Sequence, residues 1–224
     1  IPPGVERCVV PAAPDAWLTA LSNFGTMSFG DVAAAATRFA SEGFPMHPLM
    51  SEFITENKSS YERWPSSRKV FLPKGRVPQT GDVFVQSDLG RTLKYLADEE
   101  RKVARRKGRK AGIKAARDAF YKGDVAREVT RFIEKEGGLM RFEDFASFRV
   151  NFEPTVRTRF QGMELHACGP WSQGPVFLQQ LTLLEGYDLA GMGHNSPDYV
   201  HTLVECAKLA FADRECSTVR TLKW

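Results

Sequence analysis

Apolar residues recur along most of this chain at the three-to-four-residue interval of amphipathic helices, and alternate strictly over one short stretch. Residues 1–15 are rich in Pro and predict an extended lead-in. A helix over 16–24 would place Trp17, Leu21 and Phe24 on one face. Ser28 opens the next helix, with Asp31 three residues on in the spacing of a capping box. Val32, Ala36, Phe39 and Ala40 form its expected apolar stripe, and Gly43, with Pro45 soon after, stops it. Leu49, Met50, Phe53 and Ile54 predict a short helix. Residues 56–82 hold Pro65, Pro73, Pro78, Gly75 and Gly81, and read as a long loop with at most brief strands.

Ser87 is positioned to cap a further helix, with Asp88 near its positive end and Leu89, Leu93 and Leu96 on its buried side. Residues 124–136 form another, with Val125, Val129, Phe132 and Ile133 inward and Gly137-Gly138 as its stop. Phe142, Phe145 and Phe148 repeat every third residue, which fits a short helix packed under a large neighbour. Val156, Thr158 and Phe160 alternate with Arg157 and Arg159, Gln161-Gly162 can turn the chain, and 163–167 return as a second strand. This is the strongest hairpin signal in the sequence. Residues 174–185 form a helix with Phe177, Leu181 and Leu184 aligned and Gly186 beyond. The last helix has Ser196 at its cap and Pro197 in its first position, then Val200, Leu203, Ala207 and Phe211 on one face. The predicted class is α+β, mostly helical, with a small β component near 150–170 and no internal repeat.

The 224 residues suffice for one large domain or two small ones, and 42% hydrophobic with 26% charged residues is an ordinary globular balance. No stretch approaches the roughly 20 apolar residues of a membrane span. The net charge of +4 is local in origin. Residues 101–117 hold nine Lys/Arg and no acid, and without them 22 basic residues face 27 acidic ones. That run reads as a solvated helix end with a flexible loop, since Gly108 and Gly112 interrupt it. Its acidic lead, 98–100, suits the helix dipole, with Asp98–Lys102 an expected i, i+4 pair. No aromatic residue interleaves with its cations to stack bases, so a nucleic-acid partner is not expected. Cys8, Cys168, Cys206 and Cys216 form no CxxC pair and are expected to be buried free thiols. His47, His166, His194 and His201 match no zinc spacing, so no metal is expected. No Gly-x-Ser-x-Gly elbow is present.

Seven segments, in order, carry a family resemblance. They are Phe24-Gly25-Thr26-Met27-Ser28, Ala40-Ser41-Glu42-Gly43-Phe44, and Asp118-Ala119-Phe120-Tyr121-Lys122-Gly123. Next come Gly137-Gly138-Leu139 with Glu143-Asp144-Phe145-Ala146, then Gly169-Pro170-Trp171-Ser172-Gln173-Gly174. Leu184-Glu185-Gly186-Tyr187-Asp188-Leu189 and Leu209-Ala210-Phe211-Ala212-Asp213-Arg214 complete the set. From about residue 8 to 214 the chain resembles the large-subunit region of γ-glutamyltransferases, which are N-terminal-nucleophile hydrolases.

The resemblance implies part of an αββα sandwich, incomplete without a small subunit. It implies a precursor that cleaves itself, leaving an N-terminal Thr on the small subunit as nucleophile toward γ-glutamyl amides such as glutathione, with no cofactor. That Thr is expected beyond Leu209–Arg214, and the Arg that grips the substrate α-carboxylate is expected upstream of Ile1. No position here inherits a catalytic role. Residues 1–224 are then one partial domain, with a basic insertion at 101–117 and an atypical tail at 215–224 that fits a truncated or shifted frame.

Where the family often has Pro-Pro-Pro-Ser-Ser-Gly-Gly, this chain reads Gly169-Pro170-Trp171-Ser172-Gln173-Gly174-Pro175, so substrate preference is expected to differ from glutathione. Trp171, Ser172, Gln173 and Gly174 are the candidate binding residues, against the plainer reading of a tight strand-to-helix turn. Asp213-Arg214 is expected to close the last helix through a buried ion pair or the helix dipole. The expected partner is the Thr-led small subunit, and a periplasmic or secreted location is possible by family. Two rivals stand beside this reading: a helical module that binds polyanions through 101–117, and a truncated frame with no independent function.

Overall fold

A computed structural model describes residues 4–221, with side chains described as far as Cys216. They divide between Val150 and Asn151 into two compact units.

The first unit begins with one 3-10 turn at Val5–Arg7, and helix α1 spans Ala13–Phe24, so the extended lead-in ends earlier than expected. Helices α2 (Phe29–Val32) and α3 (Ala34–Glu42) follow, then strand β1 (Phe44–Pro45) and helix α4 (Pro48–Glu56). Helices α5 (Lys58–Glu62) and α6 (Pro65–Phe71) occupy the segment expected to be a loop. Proline misled there: Pro65 stands in the first turn of its helix, where its missing N–H costs nothing. Strand β2 (Val83–Phe84) pairs antiparallel with β1, Phe44 opposite Phe84. Helices α7 (Ser87–Lys107), α8 (Arg109–Tyr121), α9 (Asp124–Lys135) and α10 (Phe142–Ser147) complete the unit.

Ser28 and Asp31 form the capping box their spacing predicts, each side chain bonding the other's backbone N–H. Gly43 ends α3 at φ 92. Gly137 and Gly138 end α9 in a Schellman arrangement, with Gly138 N–H on Ile133 O and Gly137 N–H on Glu134 O. The cap expected at Ser87 is absent: α7 starts from Gln86 with no side-chain cap.

The basic run is not a helix end with a loop. It is the α7–α8 hairpin, broken only at Gly108, whose φ of 80 turns the chain between the helices. Gly112 lies inside α8, where a Cβ would stand 2.7 Å from Ala104 Cβ and 2.9 Å from Glu100 O. Its bare Cα lets the two helices approach, so it joins them. Asp98 pairs with Lys94 and Arg101, while Lys102 takes Glu99, in place of the expected Asp98–Lys102 pair.

Three apolar cores hold this unit. Leu18, Phe29, Ala33, Leu96, Ile113, Ala116 and Ala119 join α1, α2, α7 and α8. Tyr121, Ala126, Ile133, Met140 and Phe145 join the end of α8 to α9 and α10, with Phe145 fully buried as its threefold spacing suggested. Met46, Ile54, Leu72 and Phe84 lie under the β1–β2 pair.

Several predicted buried faces are rotated from those observed. Trp17, Phe24, Val32, Phe39, Leu49, Phe53, Leu89 and Phe132 are exposed. Ala40, Ile54, Leu96 and Ile133 are buried as expected, and Leu18, Ala33, Thr130 and the helix glycine Gly90 face inward in place of the exposed residues. Small residues decide the contact between α3 and α7: a Cβ on Gly90 would stand 2.3 Å from Ser41 Oγ.

The second unit holds the expected hairpin, β3 (Val156–Phe160) and β4 (Met163–Ala167), in the register Phe160 opposite Met163. Gln161 and Gly162 both have positive φ, 48 and 77, as a two-residue turn matched to strand twist requires. Helices α11 (Gly174–Leu184), α12 (Leu189–Met192) and α13 (Pro197–Thr221) follow. Thr158 Oγ1 bonds Thr182 Oγ1 at 2.9 Å, which ties β3 to α11. Ser196 Oγ accepts Tyr199 N–H at 3.1 Å, the cap its sequence signals.

Leu184 on α11 and Cys206 on α13 are buried as expected, Val176, Leu178 and Ala210 are buried as well, and Phe177, Val200 and Phe211 are exposed. Asp213 and Arg214 do not close a helix, since α13 runs on to Thr221. Cys206 is the buried thiol; Cys8, Cys168 and Cys216 are exposed. Residues 222–224 of the atypical tail lie outside the described residues.

Candidate functional site

Trp171, Ser172, Gln173 and Gly174 lie at the junction where β4 hands the chain to α11. The strand ends at Ala167, Ser172 N–H donates to Gly169 O at 3.0 Å, and the helix begins at Gly174. Ser172 Oγ donates to Gly169 O at 2.9 Å and accepts Gly174 N–H at 3.0 Å. Its hydroxyl thus stitches the turn to the first helical residue. Gly174 is required by close approach, because a Cβ would stand 2.1 Å from Cys168 O.

The other two side chains point away from this backbone knot. Trp171 is 73% exposed, its indole beside Gly169, and its Nε1 donates to Glu153 Oε2 at 2.6 Å. A charged acceptor fixes the ring's direction while leaving its faces to solvent. Gln173 Oε1 accepts from Arg214 Nη1 at 3.1 Å, and the Arg214 guanidinium lies 4.7 Å from the Phe211 ring centroid. Asp213, the other half of the expected ion pair, accepts from Gln179 instead. The structure therefore gathers Trp171, Gln173, Glu153 and Arg214 around one turn. Glu153 and Arg214 stand 18 and 41 residues from their partners, beyond the reach of any local pattern.

A second polar group on this unit had no sequence signal. Thr155 Oγ1 lies 2.8 Å from His166 Nδ1, and His166 Nε2 lies 2.9 Å from Glu164 Oε1. Arg157 shares Glu164 at 3.6 Å. The order is that of a hydroxyl–imidazole–carboxylate relay. All of its hydrogen bonds are exposed, so water competes for each of them.

Among the described residues no group of three His, Cys, Asp or Glu side chains is placed to hold a metal ion. No helix among them is long and apolar enough to cross a membrane. Among the described residues the junction presents an indole, an amide and a guanidinium, the last of which is also ion-paired with Glu215.

The family model for gamma-glutamyltranspeptidase matches residues 2–218. The acylase ACY 1 proenzyme of Pseudomonas sp. (strain SE83) is 34% identical over 96% of this chain, which covers 36% of that protein. The glutathione hydrolase-like YwrD proenzyme of Bacillus subtilis (strain 168) is 29% identical over 95% of this chain and 38% of its own length. The chain thus spans little more than a third of these curated relatives. Its fold superposes on the crystal structure of Helicobacter pylori gamma-glutamyltranspeptidase with a TM-score of 0.80 at 25% identity, over 96% of this chain and 59% of the other. A match that runs through both units, from the first helices to α13, leaves one assignment: the chain belongs to the gamma-glutamyltranspeptidase family.

Proposed function

We propose that this chain is the large-subunit portion of an enzyme that transfers or hydrolyses γ-glutamyl groups, completed by a Thr-led small subunit from the same precursor. The observation that carries this reading is the match over residues 2–218 to a family whose relatives here are proenzymes more than twice as long. The chemistry is acyl transfer. The Thr hydroxyl adds to the γ-carbonyl as its proton passes to the α-amine, the substrate amine leaves with a proton, and an ester to Thr remains. Water or an acceptor amine then attacks that ester and frees the Thr. Backbone N–H groups stabilise the oxyanion in both steps. The part of this chain is to scaffold the catalytic subunit and to present Trp171, Ser172, Gln173 and Gly174 as a binding edge.

A second reading, an acylase for a more apolar acyl group, is favoured by one feature. Trp171 offers an open indole face where the family often has Pro, and the ACY 1 relative is an acylase. Both readings are tested by co-expressing this chain with a candidate Thr-led subunit and offering two anilides, one γ-glutamyl and one with an apolar acyl group. Release of aniline from the γ-glutamyl compound, lost when the Thr is replaced by Ala, supports the first reading. Release from the apolar compound alone, weakened by Trp171→Ala, supports the second. A stable folded complex that releases neither points to the Arg expected upstream of Ile1 or to another acyl group, and failure to form any complex contradicts both.

A further inference from the structure

We propose that the tip of the α7–α8 hairpin is a contact site for an anionic lipid surface. Five cations fall within the six residues 105–110, in a run from 101 to 117 that holds no acid. The structure engages much of the rest of that run. Arg101, Lys102, Lys114 and Arg117 pair with carboxylates on α7, α8 and α1. Arg109 donates to the carbonyls of Leu21, Ser22 and Met27 at 3.1, 3.2 and 3.3 Å. Arg105, Arg106, Lys107 and Lys110 are exposed, and among the described residues no carboxylate pairs with them.

Helix electrostatics explains only some of this cluster. Arg105, Arg106 and Lys107 suit the negative end of α7. Lys110 stands in the first turn of α8, near a positive end, with no acid there to offset it. Arg109 also fastens this tip to the end of α1, bonding the carbonyl of Met27, whose residue is 52% exposed beside the cations.

Unpaired cations next to an exposed thioether are the chemistry of an interfacial contact. The cations meet acidic headgroups, and the Met27 side chain enters the boundary with the acyl chains. A nucleic acid fits less well. It would call for cations lining a groove and aromatic residues interleaved among them, whereas these cations bunch at one helix junction and the run has no aromatic residue.

The test is flotation of the chain, co-expressed with the Thr-led subunit, with vesicles of phosphatidylcholine containing phosphatidylserine, against phosphatidylcholine alone. Binding is expected only where phosphatidylserine is present. Each cation contributes about fivefold to the partition coefficient, so replacing Arg105, Arg106, Lys107 and Lys110 together by Gln should abolish it. Met27→Ser keeps the charges, and should weaken binding and make the remainder more salt-sensitive. All five positions are exposed, so an unchanged circular-dichroism spectrum is expected for both variants and separates lost contact from lost fold. Equal partition into both vesicle types, no binding to either, or full binding by the Gln variant would overturn the proposal. Binding to duplex DNA with none to phosphatidylserine vesicles would overturn it in favour of a polyanion site.

Discussion

The guanidinium of Arg117 sits where separate segments of the first unit meet. Its Nε donates to Asp15 and its Nη2 to the carbonyl of Phe148. The other oxygen of Asp15 accepts Val150 N–H at 2.8 Å, and Tyr121 accepts Asp15 N–H at 3.0 Å while donating to Pro11 O. Asp15 is 1% exposed, so removal of its partner strands a buried carboxylate. Arg117→Met should lower the stability of the unit by about 3–5 kcal/mol. Adding Asp15→Asn should restore part of that loss. Urea unfolding measures both, and a cost near zero for the single variant would contradict this role.

Burial raises the Tyr121 phenol above its ordinary value of 10.0, and burial raises Tyr95 in the same direction. The unfolded chain then releases these protons at lower pH than the folded one, so the folded state holds more protons above that value. Stability should fall as pH rises from the ordinary tyrosine range toward the raised one. Denaturant midpoints across that range should show the decline, and Tyr121→Phe should make it shallower. None of this cluster was visible in the sequence, because Asp15 lies 102 residues from Arg117 and such a pair leaves no periodic trace. The capping box at Ser28 and Asp31 was legible because both partners fall within one turn.

Among the elements, α2 is one turn long and is held from outside itself. The carboxylate of Glu100, buried on α7, accepts Phe29 N–H at 2.7 Å and Gly30 N–H at 2.8 Å. Hydrogen bonds to a charged acceptor outweigh neutral ones, so Glu100→Ala should cost about 3 kcal/mol, and Glu100→Gln less. Thermal melts of the two variants decide this; equal, small shifts would assign the stability of α2 to its own cap.

Several turns and helix ends were readable from local chemistry, since Gly43, Gly137-Gly138, Gln161-Gly162 and Ser196-Pro197 each act at a range of a few residues, whereas α5, α6 and α8 were not. Helix faces were not. In α1 the expected Trp17 and Phe24 are exposed and Leu18 is buried instead, and beside α3 the small Ala33 and Ala40 are buried while Phe39 is exposed, because small residues let helices approach. The candidate junction divides the same way. Its Pro and Gly punctuation announced a turn, and Ser172 and Gly174 build it, while the orientation of Trp171 depends on Glu153 from another segment.

At the scale of the whole molecule, both units expose large apolar side chains: Trp17, Leu49 and Leu139 in the first, and Phe152, Trp171 and Leu209 in the second. A monomer rarely presents so many without a partner to cover some of them. The family accounts for that surface if a Thr-led subunit packs against this chain. Size-exclusion chromatography with light scattering, on the chain expressed alone and together with the Thr-led subunit, tests this most directly. The account predicts self-association or poor solubility for the chain alone and a single one-to-one species with the subunit; a monodisperse, cooperatively melting monomer that ignores the subunit would contradict it.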